Sequence, residues 1–187
     1  SIRQVAQDPA NPLIGQIWYN TTIGSLKVYK TVNGTWASGG ARSTGRSLSG
    51  QAGTQTAGLS FGGYIGPAFT TVKNTEEYNG TSWTSGGDIN SPQGLDSAAG
   101  SGSQTAALSA SGKSGGPPSY TYPTITNSFE YDGSSWTGGG AVSNGRTVAG
   151  SAGTQTASLM FGGESESNLT EEYNGSSWTS GGNLPQG

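Results

Sequence analysis

The sequence predicts an all-β fold of tandem four-stranded antiparallel repeats, and three observations lead there. One motif recurs along the chain: RSLSGQAGTQTAGLSFGG (Arg46 to Gly63) returns one hundred residues later as RTVAGSAGTQTASLMFGG (Arg146 to Gly163), with a weaker middle copy, LDSAAGSGSQTAALSASG (Leu95 to Gly112). Each copy leads into a second block, TEEYNGTSWTSGG, NSFEYDGSSWTGGG or TEEYNGSSWTSGG, so that Trp36, Trp83, Trp136 and Trp178 mark a beat at separations of 47, 53 and 42 residues. Helical periodicity is absent, and 34 glycines in 187 residues oppose helix at about 1 kcal/mol per glycine.

The elements follow in order. Residues 1–40 form an N-terminal segment in which Ile17-Trp18-Tyr19 and Leu26-Lys27-Val28-Tyr29 predict a β-hairpin, or part of a further repeat. Residues 41–87, 88–140 and 141–182 are the three repeats, and 183–187 match the start of another. Within the first repeat, one strand is expected near Arg46 to Gly53. A second runs through Thr56-Ala57-Gly58-Leu59-Ser60-Phe61, where larger apolar and small residues alternate before the turn at Gly62-Gly63. Glu77-Tyr78-Asn79-Gly80-Thr81-Ser82-Trp83 then places Asn-Gly between two aromatic segments, the signal of a hairpin with a type I′ turn. Asp132-Gly133 and Asn174-Gly175 repeat it.

Composition narrows the function. Hydrophobic residues make up 30% and charged residues 10% of the chain, but Trp and Tyr recurring in register argue for order. The net charge of −3 with scattered basic residues predicts neither nucleic-acid binding nor a membrane-surface patch, and no run of 18 apolar residues predicts a membrane-inserted helix. Cys and His are both absent, which removes the usual zinc ligands, the thiol nucleophile and the commonest general base. Neither a catalytic constellation, a metal site nor a cofactor is therefore expected. Gly112-Lys113-Ser114-Gly115-Gly116 lacks the spacing of a phosphate loop.

Gly62-Gly63, Tyr78 and Trp83 in the first repeat, and Gly162-Gly163, Tyr173 and Trp178 in the third, resemble the marks of kelch repeats. In the middle repeat the doublet becomes Ser111-Gly112, while Tyr131 and Trp136 remain. Kelch repeats commonly separate Tyr and Trp by seven residues; here the full repeats use five, and only Tyr29 and Trp36 keep the longer spacing. The resemblance implies a kelch-like β-propeller, complete or partial, in which each repeat is a blade. Propellers need about 4–8 blades to close. The expectation is thus either a piece of a longer chain or sheets completed by neighbouring subunits, the first being favoured.

A second resemblance concerns function. Asn11-Pro12-Leu13-Ile14-Gly15-Gln16-Ile17-Trp18-Tyr19-Asn20-Thr21-Thr22, followed by Leu26-Lys27-Val28-Tyr29, looks like a short module of tailed-bacteriophage virion proteins, and the TEEYNGTSWTSGG repeats resemble segments of the same proteins. This implies a non-enzymatic structural protein at the virion surface, a tail fibre, appendage or capsid component serving attachment, display or assembly. Its partners would be other copies of itself, other virion proteins and host-surface glycans. Two alternatives remain: a secreted, lectin-like carbohydrate-binding propeller, and an intracellular kelch interaction module.

The regular recurrence of the repeat aromatics favours core packing over ligand stacking. Candidate ligand contacts lie instead in the loops after the Gly doublet, which differ among repeats (64–74, 113–126 and 164–168): Tyr64, Phe69, Tyr120 and Tyr122. The alternative is that these loops pack on a neighbouring subunit. Glu76-Glu77 and Glu171-Glu172 recur in register, which points to structure, with one member of each pair facing a neighbouring strand and the other solvent. Asn20, Asn33, Asn79, Asn168 and Asn174 open Asn-x-Ser/Thr sequons, of which the Asn-Gly members are expected to be turns.

Overall fold

The computed structural model describes residues 2–30, 36–67, 70–116, 121–164 and 168–185, in two units that divide after Ser38. In the first unit, β2 (Ile17–Asn20) and β3 (Ser25–Val28) form the expected antiparallel hairpin. Strand β1 (Arg3–Val5) adds to β2 in parallel, Arg3 opposite Trp18. The strand is too short to leave a pattern in the sequence. Asp8 ties this sheet together: its carboxylate accepts from the Trp18 indole (2.9 Å) and the Asn20 amide (2.8 Å) and pairs with Lys27 (2.5 Å). Bonds from Lys27, Asn20 and Trp18 hold its pKa down at about 2. Asn20, a sequon residue, is buried, and its side-chain oxygen caps the Thr22 and Ile23 amides.

The second unit is built of three four-stranded antiparallel sheets in chain order. The first contains β4 (Gly50–Thr54), β5 (Ala57–Phe61), β8 (Thr75–Tyr78) and β9 (Trp83–Ser85). Between β5 and β8, β6 (Tyr64–Ile65) and β7 (Thr70–Thr71) make a small ribbon. The second sheet is β10 (Ala99–Ser103), β11 (Ala106–Ala110), β12 (Ser128–Tyr131) and β13 (Trp136–Gly138). The third is β14 (Gly150–Thr154), β15 (Ala157–Phe161), β16 (Thr170–Tyr173) and β17 (Trp178–Ser180). The first strands of the sheets lie side by side, β4 against β10 and β10 against β14. Small residues permit the approach: a Cβ on Gly100 would overlap the Gln51 carbonyl, and Ser151 donates to the Gly100 carbonyl at 2.7 Å. The three sheets do not close into a ring.

Each first strand starts later than expected, at Gly50 rather than near Arg46, because Leu48 takes φ = 51° and interrupts the extended chain. The aromatic hairpins fall where expected, but the type I′ turn does not form. Only the glycine has positive φ (92° at Gly80, 93° at Gly133, 91° at Gly175). The Asn79 side-chain oxygen instead accepts from the Thr81 and Ser82 amides at 3.0 and 2.9 Å, an Asx turn that closes a four-residue loop between paired Tyr78 and Trp83. Asp132 and Asn174 do the same.

Neighbouring sheets are joined by the same contacts at each junction. The Gln of the TQT or SQT turn reaches back to the preceding sheet: Gln104 donates to the Gly58 and Tyr78 carbonyls (3.0 and 2.8 Å), and Gln155 to those of Ala107 and Tyr131 (3.0 and 2.7 Å). Tyr131 donates to Glu77 and Tyr173 to Glu130, both at 2.6 Å. The Trp136 indole donates to the Thr75 hydroxyl (2.9 Å), and that of Trp178 to the Ser128 hydroxyl (3.4 Å). Apolar packing surrounds these bonds: Trp136 meets Phe61 edge-on at 4.8 Å, within a core of Leu59, Ile89, Leu95, Phe129 and Tyr131. Ala110 replaces the phenylalanine at the next junction, beside Leu108, Val142 and Met160.

The glutamate pairs alternate between sheet faces, yet both members at a filled junction are used. Glu76 pairs with Arg46 within its own sheet, whereas Glu77 accepts the Tyr131 hydroxyl of the next. Glu171 likewise pairs with Arg146, at 2.5 Å. Ser111, which stands where the other repeats have Gly62 and Gly162, keeps the left-handed backbone (φ = 57°). Its hydroxyl offsets that strain by sharing its one proton between the Ile125 and Arg146 carbonyls, both at 2.8 Å, and by accepting the Arg146 amide at 2.6 Å.

Candidate functional site at the rim of the sheets

The residue that follows each Gly doublet, or Ser111-Gly112 in the middle repeat, turns back and bonds to the residue just before Leu48, Ser97 or Val148: Tyr64 to Ser47, Lys113 to Asp96, and Glu164 to Thr147. Three equivalent positions therefore carry an aromatic ring, a cation and an anion to one rim of the second unit. A backbone thread links the repeats there. The Ser97 amide donates to the Leu48 carbonyl (2.8 Å) and the Val148 amide to the Ser97 carbonyl (3.1 Å). Leu48, Ser97 and Val148 all have left-handed backbone, with φ of 51°, 55° and 55°. For a β-branched valine this conformation is costly, and the surrounding bonds must hold it.

A pocket of about 260 Å³ opens at this rim. Tyr64 and Tyr122 line it, together with Asp96, Lys113, Glu164 and the exposed side chain of Leu48. Lys113 pairs with Glu164 at 3.3 Å, and the Thr147 hydroxyl donates to the same carboxylate oxygen at 2.5 Å. These bonds, Thr147 first and Lys113 second, hold the Glu164 pKa below the usual carboxylate value. Asp96 is shifted the other way: burial raises its pKa, the Glu164 charge adds to the rise, and the Ser97 hydroxyl (2.7 Å) and Lys113 oppose it. The pocket thus offers two phenol rings and an ion pair beside a carboxyl group that burial makes easier to protonate. Such a surface suits a polar ligand with both hydroxyl groups and apolar ring faces.

Of the four aromatic residues expected to contact ligand, the structure brings Tyr64 and Tyr122 to one pocket. Phe69 and Tyr120 lie outside the described residues. Sequence reasoning did not single out Asp96, Lys113 or Glu164. Aligning the repeats at the position after the doublet, where Tyr, Lys and Glu alternate on a constant background, is the signal that finds two of the three. Among the described residues, no three His, Cys, Asp or Glu side chains cluster so as to hold a metal ion.

Fold and rim together describe an all-β protein of repeated four-stranded antiparallel sheets with variable positions gathered at one end. No protein-family profile matches the chain, and no curated protein matches it in sequence. Among solved structures the chain is similar to YjhT, a kelch-type, β-propeller-like fold, with a TM-score of 0.60 at 13% identity. The match covers 89% of this chain and 51% of that one, so this chain spans about half the length of its structural neighbour.

Proposed function

We propose that the protein is a non-enzymatic binding module of kelch-like propeller type that displays the rim pocket, as a structural component of a virion surface serving attachment or assembly. The observation that carries the binding part is the contrast between a constant scaffold and three equivalent rim positions bearing Tyr64, Lys113 and Glu164. The ligand class is a glycan. Phenol rings stack on sugar faces, and a Lys–Glu pair flanked by Asp96 supplies hydrogen-bonding groups for hydroxyls. Non-enzymatic work is favoured because the repeat carboxylates are engaged in structure: Glu76 and Glu171 hold buried arginines, and Glu77 and Glu130 hold tyrosine hydroxyls. The virion location rests on the resemblance of Asn11 to Thr22 and of the TEEYNGTSWTSGG repeats to phage virion segments.

A glycan array followed by titration calorimetry tests the ligand class. Replacing both Tyr64 and Tyr122 with Ala is expected to weaken binding at least 10-fold, about 1.4 kcal/mol, while the melting temperature changes little. Retained affinity in that double variant overturns the rim site. Location is tested separately by mass spectrometry of purified particles and immunogold labelling. Glycan binding without particle association would instead support the secreted lectin-like reading.

A further inference from the structure

The sheet of the first unit is built inside out. Soluble antiparallel sheets bury their apolar face and leave the polar one to water. Here the covered face carries Trp18 and Asn20, both buried and both bonded to the Asp8 carboxylate. The strand charges stand on that side too, since Arg3 and Lys27 are in register with Trp18. The alternate residues make up the other face: Ile17 opposite Val28 and Tyr19 opposite Leu26 in the hairpin, with Gln4 beside Tyr19 on β1. No charged residue belongs to this face of the three strands, and its four apolar residues are 37–61% exposed. Leu13 and Ile14 before β2 and Ile23 in the turn after it, each more than half exposed, flank its two ends. Among the described residues, ten of the thirteen exposed large hydrophobics lie in this unit, although it is the smaller of the two. The exposure is thus concentrated on one sheet and is not the scattered kind that every protein surface carries.

We propose that the face formed by Ile17, Tyr19, Leu26 and Val28 is the surface through which two copies of this chain associate, face to face about a two-fold axis. The face is self-complementary. It holds no charge for a second copy to repel, and none to attract a charged partner or an anionic membrane. Its size fits as well. The seven apolar residues expose on the order of 800 Å² per chain, the amount each partner buries in an interface of standard size, and about half of it lies on the strands. Three short strands bury little by themselves, so closing this face also stabilises the unit. The outer edge of β3 is not the contact, because Lys27 stands within that strand, where a charge guards a sheet edge against pairing.

Sedimentation equilibrium of the 187-residue chain tests this. From about 1 to 100 µM it is expected to show a monomer–dimer equilibrium with a micromolar or lower dissociation constant. Leu26→Lys puts a charge into the face of each copy and should weaken association at least about 100-fold. Ile17→Thr combined with Val28→Thr keeps β-branched strand residues and should weaken it at least about 10-fold. The Trp18 indole proton, held by Asp8, reports by NMR that each variant keeps the first unit folded. A chain still monomeric at about 100 µM overturns the proposal, and so does a dimer that both variants leave intact. A monomer that the double Thr variant melts at lower temperature would assign the face to packing within the chain. A monomer that sediments with phosphatidylcholine vesicles would assign it to a lipid surface, and either result also overturns the second copy as occupant. None of these outcomes bears on the rim pocket, whose test is glycan binding.

Discussion

The repeats contain a natural substitution experiment, and it predicts what happens when it is copied. The first and third sheets bury an arginine against a glutamate, Arg46 with Glu76 and Arg146 with Glu171, while the second has Leu95 and Phe129 at the same two positions. All six residues are no more than 8% exposed. Removing one ion and leaving the other buried costs about 3–5 kcal/mol, whereas replacing the pair by apolar groups of similar volume is often neutral or stabilising. The perturbation is therefore Arg146→Leu, Glu171→Phe and the two combined.

Arg146→Leu removes the 2.5 Å contact to Glu171 and the 3.0 Å bond to the Leu169 carbonyl, and leaves the Glu171 carboxylate held by the Ser143 amide at 2.7 Å. At about 2–4 °C per kcal/mol for a chain of this size, the single variant is expected to melt roughly 6–20 °C lower at pH 7. In the double variant the Ser143 amide loses its acceptor, but Ser143 is exposed and water replaces it. The remaining penalty should stay within about 1–2 kcal/mol, so the cycle yields a coupling of at least about 2 kcal/mol. Thermal unfolding followed by Trp fluorescence measures all four proteins. The reasoning is refuted if the double variant is as unstable as the sum of the singles, for then the two positions are not interchangeable between repeats.

Two further predictions follow from the packing and the turns. Gly100→Ala puts a Cβ onto the Gln51 backbone and the Phe61 ring, so it should cost about 1–3 kcal/mol or more, while Gly138→Ala, with open space around it, should be neutral; denaturant midpoints compare them. Asp132 has its pKa lowered to about 2 by the Ser135 amide, the Ser134 hydroxyl and the Ser134 amide. Because the folded value lies below the unfolded one near 4, its contribution is present above that pH and fades as pH falls toward 2. Asp132→Asn, which copies the neighbouring hairpins, should flatten that part of the acid limb, and a titration of the carboxyl carbon by NMR checks the value.

How much of this was legible depended on whether a contact leaves a local pattern. The strands through Leu59 and Leu108, the Tyr–Trp hairpins and the Ile17 hairpin were legible because alternation and Asn-Gly or Asp-Gly signals are written within a few residues. Strand β1 was not, since three residues carry no period and its parallel partner is remote. The left-handed backbone at Leu48 and Val148 contradicts their propensities and is set by the thread between repeats. The partner of Glu77 could not be read, because a tyrosine 54 residues away supplies it. Tyr64 and Tyr122 were found as loop aromatics, but Asp96 looked like one polar residue among many until the backbone paired it with Lys113.

The division of labour between scaffold and rim follows from how the sheets are joined. A junction that relies on Gln, Tyr and Trp donors aimed at carbonyls, a carboxylate and a hydroxyl recurs with little change, because each donor must reach an acceptor fixed by the preceding backbone. Burial and Glu77 raise the Tyr131 pKa to about 12, so the hydroxyl stays a donor well into the alkaline range. Those constraints engage Glu77 and Glu130 in structure. The position after each Gly doublet escapes them: its backbone pairs with Ser47, Asp96 or Thr147, through amide and carbonyl at Tyr64 and Lys113 and through the amide at Glu164, and its side chain is not needed by any junction. Side-chain identity can change there without disturbing a junction, and Tyr64, Lys113 and Glu164 show that it has. A ligand that meets this protein meets that variation first, which is why the rim, and not the aromatic beat that announces the fold, is where specificity should be sought.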